Sequence, residues 1–335
     1  MREFASNSED RRRCLSLIQD ESGSKKYHEV SLIGSACLAA LFLRGFAPAP
    51  VPASIWPAVR DAILISGGSF NRVIRELELR GHWHASSVLQ ADKLLSQAVE
   101  LVSTGQVLTP FSIQYPSNWL KSLGHHAPPA LWQSGELPVG TYSGVVGSRE
   151  LSTPQADATR LTASVLAEWG HILISGGANG ADSLASSAHQ QSTGETRSVT
   201  LHPCGLRQAP DLSKTSCHLS LAPPDAPFSG RLAMERNQLI YAATELTVVT
   251  ACQLRRGGTW GGAVLALRKK LCRVGVIDWQ NDATRALCHL GAVAISPYEI
   301  ASCFLFGRSK PIPMAQPSLF GVSSGREPSL HWYGF

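Results

Sequence analysis

Three glycine-rich segments carry the residues best suited to hold an anion. The first, Gly147-Ser148-Arg149, joins a residue without a side chain, a hydroxyl and a guanidinium. Glycine lets backbone N–H groups approach a ligand, serine donates a hydrogen bond, and arginine grips phosphate through two parallel bonds. The second runs from Ser175 through Gly176, Gly177, Ala178, Asn179, Gly180 and Ala181 to Asp182. Its glycines leave successive N–H groups unobstructed, a concavity for an anion, with Asp182 as a loop tether or a charge at a helix N-terminus. The third, Arg255-Arg256-Gly257-Gly258-Thr259-Trp260-Gly261-Gly262, adds two cations and a hydroxyl. Between the second and third, Arg231 and Arg236-Asn237 flank a helix start, where a cation is not there for the helix dipole.

The glycines do not follow G-x-G-x-x-G, and no acidic residue closes the next strand to hold a ribose, which argues against a nicotinamide dinucleotide. No cofactor is expected. His189, His202 and Cys204 read as structural side chains, and His125-His126 lacks a second ligand pair with zinc spacing. No catalytic residue and no metal site are assigned.

These loops need strands to place them. From residue 144 onward, short β-rich apolar runs alternate with helix-length amphipathic segments, the pattern of βαβ units around a parallel sheet. Strands are expected over 143–146, 171–175, 198–202, 246–250, 273–277 and 292–295, and helices over 153–169, 179–192, 232–243 and 260–270. Each glycine-rich segment then follows a strand and opens toward a helix, where doubly wound sheets bind ligands. The fold class is α/β, a Rossmann-like, doubly wound, mainly parallel sheet.

A small all-helical domain precedes it. Phe70, Val73, Ile74 and Leu77 recur at helix spacing, as do Val88, Leu95, Val99 and Val102. The division expected is a polar arm at 1–27, a helical domain at 28–105, the Rossmann-like domain at 106–310 and a flexible tail at 311–335.

The chain of 335 residues is 44% hydrophobic and 16% charged, which excludes a disordered polymer. Its net charge of +5 comes mainly from residues 111–310 and is too modest for a dedicated duplex-DNA binder, so any nucleic-acid contact is a local patch. Eight cysteines without a C-x-x-C pair, and no signal peptide, fit reduced thiols in a cytoplasm. The longest apolar run, 30–43, is too short to span a bilayer, so no membrane association is expected.

The ordered motifs resemble the DNA-processing protein A (DprA/Smf) family. They are Tyr115-Pro116, Pro128-Pro129-Ala130-Leu131-Trp132, Gly135, Gly147-Ser148-Arg149, the 175–182 loop with Ala188-His189, Arg236-Asn237 with Ile240, and Gly257-Gly258-Thr259. Leu287, Gly291-Ala292 and Tyr298-Glu299-Ile300 continue the likeness, which spans roughly residues 110–305. The resemblance implies a non-catalytic cytoplasmic bacterial protein that binds single-stranded DNA and forms a homodimer. It implies protection of incoming strands and their delivery to a RecA-type recombinase in recombination or natural transformation. The residues expected to hold the strand are Gly147, Ser148 and Arg149, Ser175, Gly176, Gly177, Asn179, Gly180 and Asp182, Arg231, Arg236 and Asn237, and Arg255, Arg256, Gly257, Gly258 and Thr259.

The sequence departs from the family at two motifs. Ala233-Met234-Glu235-Arg236-Asn237-Gln238 stands where the family has Phe-Pro-x-Arg-Asn-Arg, removing an aromatic that stacks on a base. Gly257-Gly258-Thr259-Trp260 replaces a Gly-Ser-Gly-Ser/Thr loop, and no winged helix follows residue 305. In the tail, Gln316-Pro317-Ser318-Leu319-Phe320 resembles the bacterial sliding-clamp binding peptide. The alternative is a nucleotide-binding or nucleotide-hydrolysing enzyme or sensor, as in phage defence. Related phosphoribohydrolases carry a glutamate after the Gly-Gly-x-Gly-Thr loop, and none stands three to six residues after Thr259 here.

Overall fold

The computed structural model describes residues 23–47, 55–66, 69–79, 91–194, 197–209 and 217–300. Four helices come first: α1 (Gly23–Phe42), α2 (Trp56–Ser66), α3 (Phe70–Leu79) and α4 (Ala91–Ser103). In α3 the residues Phe70, Val73, Ile74 and Leu77 form one stripe, and all four are buried while the arginines and glutamates take the other face. The end of α1 is different. Every residue from Ala36 to Leu43 is buried, so the helix is enclosed on all sides and its sequence is apolar without a period.

A nine-stranded sheet follows, in the spatial order β1-β2-β6-β5-β4-β3-β7-β8-β9. The strands are β1 (Val107–Leu108), β2 (Leu131–Gly135), β3 (Tyr142–Val146), β4 (Ile172–Ser175), β5 (Ser198–His202), β6 (Cys217–Ser220), β7 (Leu246–Val249), β8 (Arg273–Ile277) and β9 (Val293–Ile295). Pairing is parallel from β6 across to β9, while β1 and β2 join antiparallel at one side. Strands β3, β4 and β5 are buried along their whole length, which explains why apolar and small residues fill them up to His202 at the end of β5.

After α5 (Ser117–Leu123), the helices between strands are α6 (Thr153–Glu168), α7 (Ala181–Thr193), α8 (Gly230–Ala243), α9 (Gly257–Lys269) and α10 (Asp282–His289). Val145, Leu173 and Val248 pack with Leu166 and Ala185 of α6 and α7, whereas Val146, Ile172, Ile174 and Val249 pack with Ile240 and Ala263 of α8 and α9. Alternate residues of one strand thus serve two layers of helices. This is the doubly wound, mainly parallel architecture expected from the pattern of runs. The antiparallel strands β1 and β2, the strand β6 and the helix α10 are additions to the expected elements.

The N-terminal helices share a core with the sheet. Leu38, Leu41, Ile63 and Leu77 belong to the same buried cluster as Leu108, Trp119, Leu131 and Leu219. Polar ties reinforce the join: Thr109 Oγ1 donates to Ser35 Oγ at 2.9 Å, and Trp132 Nε1 to the Arg44 carbonyl at 2.9 Å. Trp119, fully buried, donates to the Leu239 carbonyl at 2.8 Å and so fixes α5 against α8.

Cysteines 37, 204, 217, 252, 272 and 288 are free, and burial pushes the Cys37 and Cys217 thiols up to about 12. Cys14 and Cys303 lie outside the described residues, as do the tail motif Gln316, Leu319 and Phe320 and the polar arm up to residue 22. No helix among the described residues is long and apolar enough to cross a membrane.

Strands β5 and β6 bring two buried histidines together, with His202 Nε2 and His218 Nδ1 at 2.9 Å. Burial, then His218 and Arg236, lower the pKa of His202 from 6.5 to about 4. The unfolded chain therefore binds more protons between those values, and protonation favours unfolding. Stability is fully present above the unfolded value and falls as pH descends toward 4, by up to about 3 kcal/mol. Urea unfolding of the wild type and His202→Gln across this window checks this. The variant should show the shallower pH slope; identical slopes would contradict the assignment.

Candidate nucleic-acid interface

The six strands β5-β4-β3-β7-β8-β9 read outward from β3 in two directions. The chain proceeds from β3 to β4 and β5 on one side and returns through β7 to β8 and β9 on the other. The switch point lies between β3 and β7, where connections diverge and open a crevice beyond the carboxyl ends of the strands. A cleft of about 530 Å³ occupies it.

The segment after β3 forms one wall. At Gly147 a Cβ would press within 2.5 Å of Ala181 Cβ and 2.8 Å of Thr250 Oγ1, so only glycine lets β3 and β7 end side by side here. Arg149 is exposed at the cleft and Ser148 lines it. Ser148 Oγ donates to the Ala251 carbonyl at 3.3 Å, tying this loop to the segment after β7. Its hydroxyl proton is therefore engaged within the protein, in contrast to the expected donation to phosphate.

The second segment corrects the expectation of an open concavity. The carboxylate of Asp182, buried at the start of α7, accepts from the Gly176 N–H at 3.1 Å and the Ala178 N–H at 3.3 Å. The protein's own anion fills the nest. Ala178 and Asp182 reach the cleft lining, whereas Ser175, Gly176, Gly177, Asn179 and Gly180 do not. Gly177, at φ +64°, turns the chain against Thr200. Gly180, at φ +89°, passes over the backbone of Arg149, and the Ala181 N–H donates to the Ser148 carbonyl at 3.2 Å. These glycines build the wall that carries Arg149.

Gly176 has a separate task. A Cβ there would coincide with Nη1 of Arg236, so the guanidinium lies where a side chain would stand. Arg236 lines the cleft from α8, and its Nε is buried without a hydrogen-bond partner among the described residues. Burial lowers its pKa, with the Asp182 charge opposing through space; burial likewise raises the Asp182 carboxyl, with Arg236 as the main opposing influence. Glu235, the neighbour of Arg236 in sequence, is engaged elsewhere: it bridges Arg44 at 2.9 Å and Arg231 at 3.0 Å. Arg231 is accordingly a solvated partner of Glu235 outside the cleft, not a cleft cation.

This arrangement isolates the role of one guanidinium. Gly176→Ala displaces the flexible end of Arg236, not backbone, so binding of an anionic strand should fall as in Arg236→Ala while the melting temperature stays within about 2 °C. Calorimetry beside a binding titration checks both; retained affinity would contradict the placement.

The third segment lies across the crevice. Helix α9 starts at Gly257, earlier than the expected 260, which places Gly257, Gly258 and Thr259 in its first turn. First-turn amides lack intrahelical partners, and Arg256 at the N-cap provides no side-chain bond to them. Arg256, Gly257, Gly258 and Thr259 all line the cleft. Thr259 Oγ1 donates to the Gly147 carbonyl at 2.9 Å, so this hydroxyl also laces two loops together. Asn237 Nδ2 reaches the Gly258 carbonyl at 3.4 Å, holding α8 beside α9. Arg255, held at φ +55°, is exposed and absent from the lining. Trp260 packs partly buried on the core.

The cleft thus gathers Arg149, Arg236 and Arg256 with the uncapped end of α9. Sequence reasoning did not assign Phe228, Glu150, Gln253 or the buried Tyr241, which also line it. Phe228 carried a signal: an aromatic directly before Ser229, whose Oγ accepts from the Leu232 N–H and caps α8. Among the described residues no group of three or more side chains suited to a metal ion occurs.

A doubly wound sheet with cations and first-turn helix amides at its switch point presents the kind of donors that suit a phosphate. The family model for DNA recombination-mediator protein A matches residues 106–299, more than half of the chain, and the chain belongs to that family, the DprA/Smf proteins. Among solved structures, DNA processing protein A from Streptococcus pneumoniae is similar at a TM-score of 0.56 and 15% identity, covering 83% of this chain and 97% of its own. DNA processing protein A from Helicobacter pylori, whose structure addresses its single-stranded DNA binding mode, is similar at 0.51 and 21%, covering 60% and 96%. No curated protein matches the chain.

Proposed function

We propose that this protein binds the sugar–phosphate backbone of single-stranded DNA in the β3/β7 cleft. The observation that carries this reading is the Arg236 guanidinium, seated over Gly176 beside Arg149 and the uncapped α9, with a buried Nε that has no partner among the described residues. Arginine and oriented amides suit phosphate oxygens, and a local cationic cleft on a weakly basic protein suits a flexible strand. Family membership supports the same reading, as does the binding mode described for the Helicobacter pylori protein. On this reading the protein is a cytoplasmic homodimer that shelters single strands and hands them to a RecA-type recombinase in recombination or DNA uptake. The binding cations are Arg149, Arg236 and Arg256; Ser148, Thr259, Asn237 and the 175–182 loop hold the walls in register.

Fluorescence anisotropy with labelled single-stranded and duplex oligonucleotides of equal length tests this. Preferential, salt-sensitive binding of the single strand is expected. Equal binding of duplex, or no binding at about 50 mM salt, would refute it.

The cleft volume of about 530 Å³ also lies within the range of small-ligand sites, which favours a mononucleotide as the second reading. Displacement of the strand by a nucleoside monophosphate at micromolar concentration would support that alternative. The tail motif adds a proposed contact with a sliding clamp: replacing Leu319 and Phe320 by alanine should abolish co-elution with the clamp, and undiminished co-elution would reject it.

A further inference from the structure

The cleft has an apolar side that the cationic reading leaves unused. Phe228 lines it and is 60% exposed. A loose loop does not account for this exposure. Just before Phe228, Ala226 is held at both backbone groups: its carbonyl accepts from the Gly205 N–H at 2.8 Å and its N–H donates to the Pro223 carbonyl at 3.0 Å. Just after it, the Ser229 N–H donates to the Pro203 carbonyl at 3.4 Å, and Ser229 Oγ caps α8. The ring is thus presented to solvent by a segment anchored on both sides, within a cleft whose other members include three arginines. Among the described residues no guanidinium or second ring packs on its face.

An aromatic face held in water beside phosphate-binding cations has the two components of a single-strand site, a charged groove for the backbone and a platform for a base. Helix α8 itself supplies no such ring at its start, where Ala233 lines the cleft and Met234 is exposed beyond it. We infer that Phe228 is the base-stacking residue of this cleft, receiving an unpaired base whose phosphate rests on Arg149 and Arg236. The assignment rests on the single-strand reading above and deepens it, because stacking requires a base freed from its pair. It also orients the strand, with bases toward the start of α8 and backbone toward the start of α9.

The test compares wild type, Phe228→Ala and Phe228→Trp on two probes of equal length and charge: oligothymidylate, and a strand of tetrahydrofuran abasic residues. Phe228→Ala should lose about 5- to 150-fold in affinity for oligothymidylate and less than about 2-fold for the abasic strand. Phe228→Trp should restore wild-type affinity, and the salt dependence of Phe228→Ala should match that of the wild type, since no phosphate contact is removed. Equal losses on both probes, or no loss on oligothymidylate, would overturn the assignment while leaving backbone binding intact. Failure of the wild type to bind oligothymidylate would overturn the backbone reading and this one together, which separates the two failures.

Discussion

Replacing Arg236 by alanine is expected to weaken single-strand binding by about 10- to 150-fold at low salt, the value of one charge-assisted hydrogen bond removed from a shielded site. Two features set this arginine apart from the other cations. Its guanidinium occupies space that Gly176 vacates, so its position is prepared before any ligand arrives. Its charge is opposed by burial and relieved chiefly through space by Asp182, so an incoming phosphate supplies a compensating charge. Arg149 and Arg256 are exposed, and their single removal should cost less. The same reasoning predicts that Arg236→Lys recovers only part of the loss, since an ammonium lacks the planar fork. Titration of a labelled strand decides it: an Arg236→Ala affinity within about 2-fold of wild type would remove Arg236 from the interface.

The second large effect is on stability. Gly180→Ala should destabilise the protein by on the order of 3 kcal/mol, from two sources. The backbone at φ +89° lies where residues with a Cβ are strained, and the added methyl would meet the Arg149 backbone, with its carbonyl carbon at 2.6 Å. Backbone cannot yield as a flexible side chain does, so the outcome differs in kind from Gly176→Ala, which moves only Arg236. For a chain of 335 residues the expected fall in melting temperature is about 4 °C. Scanning calorimetry of both glycine variants gives the contrast. A Gly180→Ala protein that melts with the wild type would show that the two loops do not meet as described.

The central strands were legible because both of their faces are buried. The short apolar or β-branched stretches Val199-Thr200-Leu201 and Val274-Gly275-Val276-Ile277 mark segments 198–202 and 273–277, which form β5 and β8 at those bounds. Strand β2 was not legible: Leu131-Trp132-Gln133-Ser134-Gly135 ends half exposed and pairs antiparallel, so nothing in its composition separates it from a loop. The Cys217–Ser220 strand is short and owes its place to pairing with β5, a partner distant in sequence.

At the site, the glycine-rich segments were visible as loops that end strands, but the use of their polar atoms was not. A serine after a strand suits a phosphate and a neighbouring carbonyl equally, and only the crossing of three loops decides that Ser148 and Thr259 tie the walls together. Asp182 shows the same ambiguity resolved: its tethering role was readable, whereas its filling of the glycine nest depends on how α7 begins. Arg231 and Arg236 differ because the helix repeat sets Arg231 one turn from Glu235, while Arg236 turns inward over Gly176.

The most direct test of cleft binding is the salt dependence of single-strand affinity for wild type and for the Arg149→Ala, Arg236→Ala double variant. Each phosphate neutralised on a single strand contributes about 0.7 to the slope of log affinity against log salt. Removing both guanidinium groups should therefore flatten the slope by about 1.4, and affinity should fall at every salt concentration. A double variant with the wild-type slope would place the strand elsewhere on the protein and leave the β3/β7 cleft without the role assigned to it.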